Sequence, residues 1–140
     1  MAAADFFVDY LTTALQPGEL LVAVRVPKRP GWGSEYLKFN RVAQAWAMVG
    51  VAATVRRDNG TITEARVALT NMGPTPVRAL AVEQALSGVP ATRDAITAAA
   101  AQAGEGTRPS SDVSASAEYR LHLAGVLTGR AVAAAAGLTD

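Results

Sequence analysis

The chain has 140 residues, half of them hydrophobic and 18% charged, with a formal net charge of +1. This composition is typical of one folded globular domain with its own core, and it argues against an electrostatic nucleic-acid binder. The sequence has no cysteine and a single histidine, so the chain by itself cannot form a disulfide, a thiolate nucleophile, an iron–sulfur site or a typical zinc site. Any redox chemistry therefore requires a bound cofactor.

The first ten residues of this sequence do not have the composition of a signal peptide. Its start, MAAADFFVDY, lacks the basic stretch and apolar core of a signal peptide. No uninterrupted apolar run approaches the roughly 20 residues of a membrane span. We therefore expect a cytoplasmic protein with no membrane span. Residues 6–15, FFVDYLTTAL, have no clear period, which leaves open a short helix or an arm that normally packs on something missing from this chain.

Three segments up to residue 55 have the pattern of β-strands. The first, PGELLVAVRVP, opens at a Pro-Gly turn and places on one face Leu20, Val22, Val24 and Val26. The second, residues 35–40, places on one face Tyr36 and Lys38 and on the other Leu37 and Phe39. The third, residues 48–55, is apolar on both faces, which is typical of a strand in the middle of a covered sheet.

A hairpin is predicted to follow the third strand. Asn59-Gly60 suits a two-residue turn because both central positions must accept positive φ. The partner strand, TITEARVAL, alternates, so Glu64 and Arg66 are expected to face water. The side chains expected to face inward are Thr63, Ala65, Val67 and Leu69.

Three helices are predicted over about 77–137. The first has a shared face of Ala79, Val82 and Leu86 and stops at Gly88 and Pro90. Thr92 can cap the second, whose narrow apolar stripe consists of Ile96, Ala99, Ala100 and Ala103. The third runs from about 115 to 136, with helical spacing of Tyr119, Leu123, Val126 and Leu127.

Strands over about 18–70 followed by helices predict an α+β fold. We expect a small, mainly antiparallel sheet of three to four strands packed against a three-helix layer.

No nucleophile, phosphate-loop, paired-carboxylate or metal motif is present. The single histidine, His122, lies within the last predicted helix, where a surface or packing role is favoured over catalysis. We expect the entry to that helix to be organised by Asp112, Glu118 and Arg120.

Lys38, Arg41 and Trp46 are the candidate site residues from pattern alone. Both cations could donate hydrogen bonds to a carbonyl edge or a phosphate, or could be solvated charges at a strand end. Trp46, in a loop that enters a core strand, could be a packing anchor or could stack beside a planar cofactor. The residues by themselves leave these alternatives open.

Four stretches together resemble a known family in order and spacing across nearly the whole chain: ADFFVDYLTTALQPGELLVAVRVP, GSEYLKFNRVAQAWAMVGVAATV, ALTNMGPTPVRA and ASAEYRLHLAGVLTGRAV. They resemble the C-terminal domain of the flavin-binding medium subunit of molybdenum hydroxylases. That family includes aerobic carbon monoxide dehydrogenase and xanthine dehydrogenase.

The resemblance implies a division of the subunit. Residues 1–17 would be a connecting arm from a missing FAD-binding N-terminal half, and residues 18–140 would be the C-terminal domain. The chain would be part of a multi-subunit oxidoreductase with a large molybdenum subunit and a small iron–sulfur subunit. FAD would be shared with the missing half, so we expect none to be tightly bound to this chain alone.

The resemblance also assigns FAD-binding roles to individual positions. Leu21 matches an aliphatic position that packs against the flavin, and Lys38 matches the lysine that reaches it. Trp46 matches an aromatic or aliphatic position near the isoalloxazine, and Arg41 is similar in placement with a less defined role. No catalytic or metal-binding residue is implied.

This sequence departs from the family pattern beside Trp46. Where many members have one or two acidic residues, the chain has Gln44 and Ala45, and where many have a second arginine it has Val42. A nearby carboxylate shifts the proton affinity of a reduced flavin. The resemblance therefore does not imply, for this chain, the acid-dependent features of the flavin reaction, including reactivity toward a nicotinamide acceptor.

Two functions are compatible with the resemblance. In the first, the domain caps the flavin and supports electron transfer from iron–sulfur clusters through FAD to an external acceptor. In the second, it is a docking or assembly module of the same complex that does not touch the flavin.

Overall fold

Two β-sheets and four helices make up residues 1–138, the part of the chain that the computed structural model describes. A short helix α1 (Ala3–Phe6) leads into a small two-stranded sheet of β1 (Phe7–Asp9) and β2 (Thr12–Thr13). The larger sheet is antiparallel, with the order β3-β4-β5-β6, and consists of β3 (Trp32–Phe39), β4 (Val49–Asp58), β5 (Thr61–Thr70) and β6 (Val77–Arg78). The remaining helices are α2 (Leu80–Leu86), α3 (Arg93–Ala100) and α4 (Ala117–Ala135).

This architecture confirms the predicted α+β class, with a four-stranded antiparallel sheet backed by three helices. Helix α4 packs on β3 and β4, α2 packs on β5, and α3 packs on α2 and α4. None of the helices within residues 1–138 is long and apolar enough to cross a membrane.

The β4–β5 hairpin turns at Asn59 and Gly60 as predicted, with φ values of 46° and 79°. The facing of its second strand is partly different from the prediction. Arg56 pairs with Glu64 but Arg57 pairs with Ile62, so a β-bulge leaves one extra residue in β5. The bulge brings Ile62 into the core and leaves Thr63 half-exposed, so the inward facing predicted for Thr63 is wrong.

The large sheet is covered by helices on one face only. In β4, the side chains that face the helices are fully buried, namely Val49, Val51, Ala53 and Val55. Between them, Ala52 is exposed and Thr54 is half-exposed. The prediction that β4 lies inside the sheet is confirmed, but the prediction of cover on both faces is wrong, because Ala52 and Thr54 face a side of the sheet on which no helix within residues 1–138 packs.

The strand predicted over 17–27 is absent. Residues 19–29 have no regular structure, and Leu20, Val22, Val24 and Val26 are all exposed. Within residues 1–138, no strand pairs with this segment, although its apolar alternation is that of a strand. A strand needs a neighbour for its backbone hydrogen bonds and a surface on which to bury its side chains, and neither is present here.

Helices α2 and α3 follow the sequence pattern closely, and α4 follows it in part. Val82 and Leu86 bury one side of α2, and Gly88 follows that helix with φ 78°. The Thr92 side chain caps α3 by accepting a hydrogen bond from the Ala95 N–H, and the predicted stripe of small apolar residues is buried. In α4 the predicted face is only half correct: Leu123 and Leu127 are buried, whereas Tyr119 and Val126 are exposed, because the buried side is centred on Arg120, Ala124 and Ala131.

Candidate functional site

The face of the large sheet that points away from the helices carries the candidate site, and we call it the open face. The strand register places two cross-strand rows there, Lys38–Gly50–Thr70 and Tyr36–Ala52–Ala68. Four of the six side chains in these rows are no larger than threonine. The small residues leave the middle of the open face low, and the Tyr36 ring reaches from β3 across to Gly50, which is buried.

Gly50 allows an aromatic ring to cross this surface. A Cβ atom added at Gly50 would lie 2.6 Å from Thr70 Oγ1 and 2.8 Å from the Tyr36 hydroxyl oxygen. Both distances are shorter than side-chain atoms tolerate, so any larger residue would displace the Tyr36 ring. Glycine at this position fixes where the tyrosine lies over the sheet.

A groove of about 290 Å³ lies at the end of the open face where β3 and β5 finish. Its walls bring together residues from four parts of the chain: Tyr10, Tyr36, Lys38, Trp46, Ala47, Thr70, Asn71, Gly73, Pro74, Thr75 and Pro76. We call it the open-face groove. Lys38 and Trp46, two of the four residues predicted to bind FAD, therefore lie in one site.

Trp46 is 74% exposed, and it is not a packing anchor of the core. It is carried by residues 40–48, which connect β3 to β4 and which we call the Trp46 loop. The loop is closed at its base by a backbone hydrogen bond of 2.8 Å from the Met48 N–H to the Phe39 carbonyl. The loop therefore presents the indole to solvent and not to the core.

Four side chains donate hydrogen bonds to backbone carbonyls of the Trp46 loop. Asn71 Nδ2 donates to the Ala47 carbonyl at 2.9 Å, and Lys38 Nζ donates to the Ala45 carbonyl at 3.3 Å. Asn40 Nδ2 donates to the Val42 carbonyl, and Arg120 Nη1 donates to the Met48 carbonyl. The carbonyls on both sides of Trp46, those of Ala45 and Ala47, are thus held by the Lys38 and Asn71 side chains, which restrains the backbone that carries the indole.

Lys38 therefore has two capabilities. One of its three ammonium donors holds the loop through Ala45, and the other donors remain for a ligand in the groove. A cation at this position stabilises negative charge on a molecule lying over the open face. Lys38 is exposed and is bonded to the Trp46 loop, and its role toward a ligand stays a prediction.

Leu21 and Arg41 lie away from the open-face groove. Leu21 lines a separate cavity of about 520 Å³, between the N-terminal helix and the extended segment, together with Phe6, Phe7 and Val24. Arg41 Nη1 donates to the Val113 carbonyl at 3.4 Å, towards the chain that precedes α4. Their assignment as FAD-binding residues stays a prediction, as it does for Lys38 and Trp46.

Tyr10 and Tyr36 are site residues that the sequence alone did not single out. Tyr36 shares the Lys38 face of β3, so the period-two pattern already contained the signal. Tyr10 gave no signal, because it reaches the groove only through the placement of the β1–β2 unit.

The entry to α4 is organised largely as expected. Arg120 Nη2 contacts Asp112 Oδ2 at 2.7 Å, and the Ser116 hydroxyl oxygen caps the helix by accepting from the Tyr119 N–H. The Ser114 and Ala115 N–H groups, with a smaller contribution from Arg120, lower the pKa of the Asp112 carboxyl. The Asp112 carboxylate is therefore a stable anchor at neutral pH.

Neither histidine chemistry nor metal chemistry is evident in the described residues. His122 is exposed, and its ring lies 6.4 Å from that of Tyr119 in a stacked arrangement. Within residues 1–138, no group of three or more His, Cys, Asp or Glu side chains could hold a metal ion. The site offers binding surface and cationic donors.

Comparison with known proteins gives a consistent result. The medium chain of carbon monoxide dehydrogenase from Afipia carboxidovorans is 37% identical over 133 residues, covering 94% of this chain and 46% of the relative. A xanthine dehydrogenase FAD-binding subunit from Escherichia coli O157:H7 is 35% identical over 131 residues, covering 89% of this chain and 45% of the relative. The chain thus spans about half the length of the curated relatives it matches.

Solved structures show the same similarity in three dimensions. A chain of carbon monoxide dehydrogenase from Hydrogenophaga pseudoflava superposes with a TM-score of 0.89 at 37% identity, covering 98% of this chain and 48% of that one. The family model described as the CO dehydrogenase flavoprotein C-terminal domain matches residues 34–135. These findings confirm the resemblance drawn from the sequence, and the chain belongs to the CO dehydrogenase flavoprotein C-terminal domain family.

Proposed function

We propose that this chain is the flavin-capping domain of a molybdenum hydroxylase FAD subunit, within a cytoplasmic multi-subunit oxidoreductase. The observation that carries the proposal is the convergence of Lys38, Tyr36 and Trp46 around the open-face groove. In the complex, electrons would pass from iron–sulfur clusters through FAD to an external acceptor. The partners would be an FAD-binding N-terminal half, a large molybdenum subunit and a small iron–sulfur subunit.

The groove suits one edge of a planar, polar-rimmed ring system. The groove of about 290 Å³ leaves room for the edge of a flat ligand, and the exposed indole of Trp46 offers an aromatic surface at its margin. The ammonium of Lys38 can donate to a ring carbonyl and stabilise negative charge there. When bound, FAD supplies the redox chemistry, while these residues orient the ring and limit its contact with water.

The groove does not suit the phosphates of FAD. Binding a pyrophosphate uses clustered backbone N–H groups at a helix N-terminus or a glycine-rich loop, and the groove walls within the described residues offer one lysine and no such cluster. We therefore expect this chain alone to hold FAD weakly or not at all. Tight binding would depend on the FAD-binding half.

Flavin retention tests this function. The chain is co-expressed with the FAD-binding half of its parent subunit, and the ratio of flavin to protein is read from visible absorbance. Lys38→Ala and Trp46→Ala should each lower the ratio while the two halves remain together. Lys28→Ala changes the chain's only other lysine, which lies outside the groove, and should leave the ratio unchanged.

A second candidate function is docking without flavin contact, and the exposed segment 20–26 favours it. Four of its aliphatic side chains are at least 74% exposed, which is unusual unless a partner covers them. Under this alternative, Val22→Ser with Val24→Ser would abolish assembly, while the Lys38 and Trp46 variants would retain a normal flavin ratio. Loss of flavin with assembly intact in the groove variants would instead favour the capping function.

A further inference from the structure

Arg120 is the largest fully buried side chain in the described part of the molecule, with 1% of its surface exposed. It is also charged. Burying a guanidinium costs several kcal/mol, and the partners of a buried ion pair usually do little more than offset that cost. Its Nε atom has no hydrogen-bond partner within residues 1–138. Net stability is therefore a poor explanation for an arginine at this position, and its contacts point to geometry instead.

The two terminal nitrogens of the Arg120 guanidinium contact separate parts of the chain. Nη2 contacts Asp112 Oδ2 at 2.7 Å, and Nη1 donates to the Met48 carbonyl. Met48 is the last residue of the Trp46 loop. A planar guanidinium fixes the direction of both partners at once, so Arg120 ties the end of this loop to the carboxylate of Asp112.

Asp112 is itself held in place. Its Oδ1 atom accepts hydrogen bonds from the Ser114 and Ala115 N–H groups at 2.8 and 3.1 Å. The carboxylate is half-exposed, whereas the arginine is buried. The pair therefore runs from the protein surface to the base of the Trp46 loop.

A second contact joins the same two regions. Arg41, near the start of the Trp46 loop, donates to the Val113 carbonyl beside Asp112. The bond from Arg41 to Val113 and the bond from Arg120 to Met48 each span 72 residues of sequence. The segment before α4 and the first turn of α4 thus contact the loop near both its ends.

We infer that Asp112 and Arg120 form a positioning pair for Trp46. By fixing the Met48 carbonyl, the pair sets the path of the Trp46 loop and holds the indole at the margin of the open-face groove. Arg120 is not one of the groove walls, so it would act only through the loop. The consequence for flavin rests on the proposed function, whereas the consequence for the mobility of the indole does not.

Fluorescence anisotropy decay of Trp46 tests the inference directly. The chain has two tryptophans, so Trp32→Phe in the 140-residue chain leaves Trp46 as the only indole. Asp112→Asn keeps the side-chain size and removes the charge. We expect it to give Trp46 a larger and faster local rotation on the nanosecond timescale, where freed loops move. Arg120→Lys, which cannot span both partners as a planar fork does, should act in the same direction.

The matched control is Glu64→Gln. Glu64 forms an ion pair of 2.8 Å with Arg66, with an exposure similar to that of Asp112, and it lies outside the groove walls. It should leave the Trp46 decay unchanged. Asp112→Glu restores the charge and should recover part of the restriction.

Flavin retention in the complex with the FAD-binding half provides the second measurement. Asp112→Asn should weaken flavin binding about tenfold, as expected when one charge-assisted hydrogen bond is lost. Freed rotation of Trp46 with normal flavin retention would support the positioning pair and contradict the capping function. An unchanged Trp46 decay in folded Asp112→Asn and Arg120→Lys variants would overturn the inference, whatever the flavin result.

Discussion

Residues 20–26 and residues 49–55 have similar apolar patterns but opposite environments. Val22 is 92% exposed and Val51 is fully buried. The second segment lies between two hydrogen-bonded strands with α4 on one face, whereas no strand within residues 1–138 pairs with the first. A strand-like pattern describes what a segment can bury, and the partners decide whether it does so.

The two segments also differ in what they contribute to the proposed functions. The 49–55 segment contributes one face to the core and the other to the open face, where Gly50 sets the position of Tyr36. The 20–26 segment contributes to neither. Its apolar surface is what a second polypeptide would cover, and so the two proposed roles of the domain, flavin capping and docking, fall on different segments.

Hydrogen exchange should show the largest contrast between the segments. In the 140-residue chain, amides of residues 20–26 should exchange almost freely, whereas the inner amides of 49–55 should exchange at least about a thousandfold more slowly. Addition of the FAD-binding half should slow exchange in 20–26 and leave 49–55 unchanged. Mass spectrometry of peptic fragments measures both, and slow exchange in the isolated 20–26 segment would contradict its exposed state.

Matched valine truncations provide the next largest contrast. Val51→Ala should lower the free energy of unfolding by roughly 2 kcal/mol, since it leaves a cavity among the core side chains. Val22→Ala should change it by less than about 0.5 kcal/mol, because its side chain is exposed in both states. Urea unfolding monitored by circular dichroism gives both values, and equal effects would show that 20–26 packs more than the structure indicates.

Gly50→Ala tests the open side of the buried segment. The added Cβ would crowd Thr70 Oγ1 and the Tyr36 hydroxyl, so we expect a loss of about 1–3 kcal/mol, the usual cost of overpacking. The double variant Gly50→Ala with Tyr36→Ala should lose less than the sum of the single changes. Additive losses in urea unfolding would mean that Tyr36 does not lie over Gly50.

A smaller effect is expected on the pH dependence of stability, through Asp112, whose partner Arg120 contacts the residue before β4. Because contacts in the folded state lower the pKa of Asp112, its contribution to stability is present above the unfolded aspartate pKa, about 3.9, and is lost as pH falls through the folded value.

Thermal melts of the parent and of Asp112→Asn check this effect. Their difference in Tm should be steady between about pH 5 and pH 7 and should shrink below about pH 4. Glu64→Gln serves as the control for a general loss of surface charge. A Tm difference that does not change with pH would show that the Asp112 carboxylate does not stabilise the fold.

Local patterns predicted most of residues 32–138. The Asn59-Gly60 turn, the Thr92 cap and the buried stripe of α3 each depend on residues close in sequence. The bulge in β5 was missed because alternation alone assigns Thr63 to the inner face. The failed strand at 17–27 has another cause, since its pattern needs a neighbour that these residues do not supply.

The candidate site was only partly predictable. Lys38 and Trp46 were singled out, and both lie in the open-face groove. Tyr10 depends on tertiary placement, and the buried state of Arg120 depends on contacts that span 72 residues. A charged residue in the first turn of a helix predicts an exposed side chain, and nothing local to Arg120 indicates that Met48 lies beside it.

If Lys38 and Trp46 form one edge of a flavin site, the flavin-to-protein ratio of the complex with the FAD-binding half depends on both side chains. The complex should be yellow, should lose flavin on Lys38→Ala or Trp46→Ala, should keep it on Lys28→Ala, and should stay assembled throughout. A complex that keeps its flavin after both groove substitutions would mean that neither residue holds the flavin, and would leave the domain a docking partner.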